Sequence, residues 1–599
     1  MRKLLSKTSW LLSAVFIFCG LAGCRGKLER VEDTRELGEI SYSLYSMSGT
    51  DAFGREVKPV DGERQDKKKY VGMFYFTWLG QHPGGGGQTG IYDNSVLLDE
   101  NPDALWDPNN KKESPTGAYH FWGEPMFGYY NSEDPWVIRK HMQMLILAGV
   151  DFLVFDATNA VAYFSVYDVI IDVLLDYQAQ GWPIPKLAFY TNTESRKTII
   201  QLYEYYYDSS SERYEKCRSL WFSPSGKPMI IGDRWSFDLD SQSDLSIINS
   251  FDFRDSQWPT AVNRKNGFPW MSFEYPQYIH NGVISVSVAQ HTTVRMSNMD
   301  NGNWGRGYDR TKAVNDSAQS RAGINYQSQW DTVFLNDDEV EISFITGWNE
   351  WIALKLVDAS NNVFFVDTFN EEYSRDIEPM RGGYGDSFYM QTIQNVRKFK
   401  YLEPKHYLQS IKSFSELTSS EEWTTVRAYR DFTGDAKPRD FKGFYGNHLS
   451  NDTGRNDISE IRMIHDEENL YVRIACAEPI TSYEAGDTTW MNLFLGTDEP
   501  GVYGDYRYVI NRNPDGNGKT SVERFVDGMK TEKVGTCTYA EEDNYVYFKI
   551  PLKMVGLKGK EVTLRFKATD DIALTEDLTC FYTDGDSAPL GRLSYTYGY

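Results

Sequence analysis

Four carboxylates, Glu350, Asp156, Glu124 and Glu274, stand where short apolar runs end or where aromatic clusters begin. Two carboxyl groups facing one glycosidic bond can protonate its leaving oxygen and supply or activate a nucleophile. Glu350 leads this set, because Trp348 and Trp351 flank it and a low-dielectric surround raises a carboxyl pKa. Asp156 closes the run VDFLVFD, Glu124 lies in YHFWGEP, and Glu274 follows Trp270. Aromatic rings stack on sugar C–H faces, while amides and imidazoles bind hydroxyls. Residues of those types recur at the ends of other runs: Tyr75, Trp78 and His82; His120 and Trp122; Asn159; Tyr190 and Asn192; Asp233 and Trp235; His291; Trp304; Trp348, Asn349 and Trp351. All are candidate substrate contacts. Arg306 and the Gly84–Gly87 loop lie beside them. No HExxH or comparable ligand spacing occurs, so neither a catalytic metal nor a cofactor is expected.

These residues must be positioned by the elements between them. Val71–Trp78, Val150–Asp156, Leu187–Thr191, Met229–Gly232, Trp270–Glu274, Val283–Gln290 and Glu341–Gly347 read as buried strands, with a possible eighth at Val363–Val366. Helical spacing at Pro135–Ala148, Tyr163–Gln180, Lys197–Tyr207 and Asp386–Tyr401 alternates with them. Apolar strands alternating with helices imply an α/β fold, a (β/α)8 barrel, whose strand C-terminal ends gather the active site. One interval is anomalous: about eight residues separate the fifth and sixth runs, too few for a covering helix. Beyond residue 425 short alternating segments and turns predict an antiparallel β-sandwich. The expected plan is a signal segment (1–23), a tether and N-terminal extension (24–69), a barrel (70–402), a connector (403–425) and a sandwich (426–599).

A basic start and an apolar stretch from Trp10 to Ala22, too short to span a bilayer, precede Leu21-Ala22-Gly23-Cys24. That ending resembles the lipobox of bacterial lipoproteins, which implies cleavage before Cys24 and its acylation. The expected location is the bacterial cell envelope, lipid-anchored and facing either side of an outer membrane. The net charge of -23 repels phosphate backbones and argues against nucleic acid as a partner. The 40 Tyr, 33 Phe and 16 Trp suit a protein that handles an oligo- or polysaccharide. Cys217, Cys476, Cys537 and Cys580 lack metal-ligand spacing and are expected as buried thiols.

The segment FITGWNEW, Phe344–Trp351, resembles the Asn-Glu-Trp region of glycoside hydrolase families 71 and 99, and GVDFLVFDATNA and DTFNEEYSRDIEPM extend the likeness across residues 70–402. The resemblance implies a retaining endo-acting α-mannan hydrolase that passes through a 1,2-anhydro sugar. Glu350 matches the base toward the 2-hydroxyl, but the acid/base position three residues on is Ala353, which transfers no proton. Either another carboxylate (Asp156, Glu124 or Glu274) supplies it, or the mechanism differs, or activity is lost. The C-terminal pieces IHDEENLYVRIACAEP, WMNLFLGTD and FYTDGDSAPLGRLSYTY resemble family 9 carbohydrate-binding modules, with Trp490 either a sugar contact or core. The expected function is hydrolysis of an α-linked glycan. The alternatives are a non-catalytic glycan-binding lipoprotein and a purely structural envelope protein.

Overall fold

The computed structural model describes residues 37–81, 88–291, 302–403 and 411–598. The signal segment, Cys24, His82 and Gly84–Gly87 lie outside them. Among the described residues no helix is long and apolar enough to cross a membrane.

Eight strands build the first domain: β1 (Tyr70–Tyr75), β2 (Phe152–Ala157), β3 (Lys186–Thr191), β4 (Met229–Gly232), β5 (Asp252–Gln257), β6 (Gly267–Pro269), β7 (Val283–Val286) and β8 (Ile342–Ile345). All neighbours pair in parallel, in the order β7-β8-β1-β2-β3-β4-β5-β6. The edge strands β6 and β7 approach each other without a hydrogen-bonded ladder, so the barrel closes except at one seam. Helices at Pro135–Leu147, Phe164–Ala179, Ser195–Leu202, Gln242–Asn249, Ile324–Leu335 and Ser387–Lys400 connect or cover the strands. Asp134 caps the first of these, its carboxylate accepting the Trp136 N–H at 3.0 Å. Side chains rather than solvent fill the interior: Phe74, Phe152, Val154, Ala188, Ile231, Phe268 and Phe344 form one apolar cluster. Gly72 admits the ring of Phe152, which a Cβ there would meet at 2.4 Å.

Three strand expectations are corrected. The run Trp270–Glu274 is not a strand, because the ladder ends at Pro269. The strand β5 went unread because DFRDSQ alternates and is only half-buried, so it lacks a continuous apolar run. Val363–Phe365 is no barrel strand; it pairs with Ile352–Val357, which pairs in turn with Tyr119–Phe121, in a small antiparallel sheet beside the mouth.

The C-terminal region is an antiparallel sheet of thirteen strands that curls until Ile458–His465 meets Leu564–Asp570, giving the expected sandwich. Two of those strands are N-terminal. Met47–Thr50 pairs with Ser594–Tyr597, and Glu56–Val57 pairs with Met47–Thr50. The helix Glu39–Ser46 packs beside them, and Arg397 of the barrel donates to the Met47 carbonyl at 2.6 Å. Much of the stretch expected as tether is therefore folded: its apolar patch around Ile40 to Met47 covers a sheet edge that would otherwise be exposed. The connector also packs, with Phe414, Trp423 and Val426 against Ile464, Tyr471 and Tyr547. Cys217, Cys476, Cys537 and Cys580 are buried free thiols.

Candidate active site

At the C-terminal ends of the barrel strands lies a cavity of about 450 Å³. Its acidic lining is Asp156, Glu350 and Asp367, and its aromatic walls are Phe74, Phe76, Trp78, Tyr119, Tyr163, Trp258 and Trp270. Asn159 and Thr158 complete one rim, Ile352 and Leu354 another.

Glu350 reaches this place through the turn that follows β8. Gly347 takes φ +104°, where a Cβ would meet Asp376 Oδ1 at 2.6 Å, so glycine is required. Asn349 then clamps the end of β1, accepting the Phe76 N–H at 2.9 Å and donating to the Phe76 carbonyl at 3.0 Å. Asp376 accepts the Glu350 N–H at 2.8 Å, and Trp122 Nε1 donates to the Glu350 carbonyl at 2.8 Å. The backbone is thus fixed on both sides, and the side chain projects to the cavity at 6% exposure.

Arg375 organises the acids. Its Nη2 donates to Glu350 Oε2, its Nη1 donates to the Asp367 carbonyl at 2.7 Å, and its guanidinium lies 4.7 Å from the Trp270 ring centre. His291 Nε2 sits 3.1 Å from Nη1 and steadies it from behind. Burial pushes the Glu350 carboxyl well above the usual carboxylate range; Asp367, Asp376 and Asp156 push the same way, and Arg375 opposes them. Burial also raises Asp367, again against Arg375. Asp156 is raised by burial, although Thr158 donates to it through N–H at 2.9 Å and hydroxyl at 2.8 Å. Burial brings Asp376 up to about 7. Several carboxyls whose burial favours the protonated form, with one buried guanidinium among them, are placed to exchange protons beside this cavity.

The structure brings Glu350, Asp156, Trp78 and Asn159 together at this cavity, and it places the other expected residues that it describes elsewhere. Glu124, half-buried, pairs with Arg381 at 3.3 Å outside the lining. Glu274 is exposed, because the chain has already left the barrel after Pro269. Tyr75 turns into the core and meets His141 Nδ1 at 2.8 Å, and Tyr190 donates to the Phe268 carbonyl at 2.9 Å. Fully buried His120 sits 3.0 Å from Ser114 Oγ; burial holds its pKa down at about 3, so it stays neutral near pH 7. Trp122 and Trp351 stack with ring centres 4.3 Å apart, and with Trp348 they are buried, so none of the three is a sugar platform. Asn192 accepts from Ser256, and Asp233 caps the turn Arg234–Ser236. Trp235 is 71% exposed away from the cavity, and Trp304 is stacked under Arg310 at 4.2 Å. His291 and Asn349 hold the site rather than line it.

Sequence reasoning missed Asp367, Arg375 and Asp376, which fall inside DTFNEEYSRDIEPM, and also Tyr119, Tyr163, Trp258 and Trp270. Ala353, the position at which the acid/base was sought, packs with Leu105, Phe365 and Phe369. Its strand alternates, Ile352 and Leu354 facing the cavity, so an acid at 353 would point away from it.

No family model matches the chain, and no curated protein matches it. Among solved structures, a GH99 endo-α-mannosidase from Bacteroides thetaiotaomicron is similar at 15% identity and a TM-score of 0.31, covering 56% of this chain and 98% of that one. A glycoside hydrolase-like protein is similar at 12% identity and a TM-score of 0.29, over 58% and 97% of the two chains. A family 9 carbohydrate-binding module from Caldicellulosiruptor kristjanssonii, in complex with cellotriose, is similar at 11% identity and a TM-score of 0.15, over 32% and 80%.

Proposed function

We propose that the barrel is a glycoside hydrolase acting on an α-linked glycan, with Glu350 and either Asp367 or Asp156 as the two carboxyls that exchange protons with the sugar and its leaving oxygen. The observation that carries this reading is the convergence of these three carboxyls on one aromatic-walled cavity. The backbone of Asp367 supports it: a non-glycine residue at φ +66° is a strained conformation, held here by the Arg375 bond to its carbonyl. The side-chain alternation that turns Ala353 away supports a second carboxyl among these residues of the cavity rather than on that strand. The restriction to α-linkages rests on the resemblance of the Asn-Glu-Trp segment alone.

The test is incubation of the protein with a panel of α-linked mannans, glucans and host glycans, with released ends measured. Cleavage that disappears in Glu350→Gln is the expected outcome. Glycans that bind without being cleaved would instead establish a capture protein.

We further propose that the chain is an envelope lipoprotein tethered through Cys24, supported by the Leu-Ala-Gly-Cys ending and the apolar stretch before it. Cys24→Ala should abolish radiolabelled palmitate incorporation and move the protein from the membrane to the soluble fraction.

A further inference from the structure

A second group of acids lies at the junction between barrel and sandwich, away from the cavity. Asp431 follows the strand Ala428–Arg430, Asp435 comes four residues later, Asp457 precedes Ile458–His465, and Asp586 opens the strand Asp586–Ala588. One carboxylate oxygen each from Asp431, Asp435 and Asp586 lies within 4.8 Å of the others, and all three residues are buried. Each aspartate spends one oxygen on the protein. The Tyr595 hydroxyl donates to Asp431 at 3.2 Å, Gln143 Nε2 to Asp435 at 2.8 Å, the Gly434 N–H to Asp457 at 2.7 Å and the Ile458 N–H to Asp586 at 2.6 Å. The other oxygen of all four, Asp431 Oδ2, Asp435 Oδ1, Asp457 Oδ1 and Asp586 Oδ1, has no hydrogen-bond partner.

An observation independent of the acids points the same way. Gln143, on the barrel helix Pro135–Leu147, is fully buried, and its amide oxygen is also unpartnered while its amide nitrogen touches Asp435. Buried acceptors in such number are costly unless something positive satisfies them. Lys140 and Lys567 do not reach the free oxygens: Lys140 pairs with the other oxygen of Asp435. Lys140 Nζ stays 3.7 Å from Asp435 and 5.7 Å from the Trp136 ring centre. Lys567 is spent on Ser587 Oγ at 3.0 Å and on the Pro589 carbonyl. The four aspartates outnumber the ammonium groups of Lys140, Lys437 and Lys567, so the group is net acidic and attracts a cation. Two oxygens bound to one calcium ion at about 2.4 Å can be at most about 4.8 Å apart, a limit these three aspartates meet. An all-oxygen set of carboxylates and an amide carbonyl suits calcium, whereas magnesium sheds its water reluctantly.

We propose that Asp431, Asp435 and Asp586, with Gln143 beside them, bind one calcium ion that fastens the barrel helix to the sandwich. The experiment strips the purified full chain with EGTA, then titrates calcium by calorimetry and records thermal melting with calcium, with magnesium and without either. One calcium ion per chain and a Tm raised by several degrees, with little effect of equimolar magnesium, are expected. In Asp435→Asn/Asp586→Asn, calcium affinity should fall at least about a hundredfold and the calcium-dependent rise in Tm should vanish. Should that variant not fold, sensitised terbium emission from the wild-type chain, displaced by calcium at one equivalent, decides. A wild-type chain that takes up no calcium at millimolar concentration, or a folded variant that binds it unchanged, overturns the proposal.

Discussion

Glu350 and Glu378 are both buried glutamates of the barrel mouth, and both are tied to the segment around Trp351, yet their surroundings are opposite. Glu378 is fully buried: the Tyr130 hydroxyl at 2.8 Å and Trp351 Nε1 at 2.6 Å donate to one oxygen, and His141 Nε2 lies 2.9 Å from the other. Glu350 has Arg375, further carboxyls and an open cavity. A carboxylate accepting from a buried hydroxyl and a buried indole anchors structure, because both donors would be orphaned without it. A carboxylate crowded by other carboxylates and facing open space has its charge and its proton available for chemistry. The sandwich extends the first pattern: Trp490 is fully buried and donates to the Thr481 carbonyl at 2.7 Å, so it is core and not a sugar platform.

The sharpest way to break this contrast is Glu350→Gln. It should lower kcat by about a thousandfold or more, while Tm stays within a few degrees of wild type, since Gln still accepts from Arg375 and the nearby aspartates balance its charge. Retained turnover would remove Glu350 from the chemistry. Trp490→Ala comes next: a loss of about 3–5 kcal/mol in chemical denaturation, with glycan affinity of the folded fraction unchanged. Weaker binding without destabilisation would overturn its assignment to the core. Glu378→Gln should cost about 2–3 kcal/mol of stability, from donors left imperfectly matched, and leave kcat within about tenfold. If kcat instead falls as far as in Glu350→Gln, the two glutamates are not distinct.

The smallest effect is a pH slope. Asp376 binds its proton more tightly folded, at about 7, than a free carboxyl near 3.8. Between those values the native state holds the proton and the unfolded state has lost it, so stability falls as pH rises from about 4 to about 7 and is flat above. Asp376→Asn, which keeps the acceptor for the Glu350 N–H, should flatten that decline in urea midpoints taken at pH 4.5, 6 and 7.5.

Much of the barrel was legible because continuous apolar runs such as VDFLVFD leave little choice but a parallel strand covered on both faces. The half-buried DFRDSQ was not, and its omission displaced the next strand and with it Glu274. Glu350 and Asp156 could be found because each stands where an apolar run ends. Position near a strand end does not fix the direction of a side chain, however, and Tyr75, Tyr190 and Trp348 turn inward. Asp367 and Arg375 come from the long irregular stretch after Val363–Phe365, whose course is set by tertiary contacts that no periodicity records. Their pairing across eight residues becomes visible only when the chain is folded.

For the lipid anchor proposed at Cys24, the pairing of Met47–Thr50 with Ser594–Tyr597 would set how far the folded body can stray from a membrane surface. With Cys24 acylated, only twelve residues, thirteen Cα–Cα steps, separate the lipid from Leu37, where the described body begins. Fully stretched they reach about 45 Å. The folded body would then stay on a short leash, its N-terminal edge kept within that distance of the bilayer.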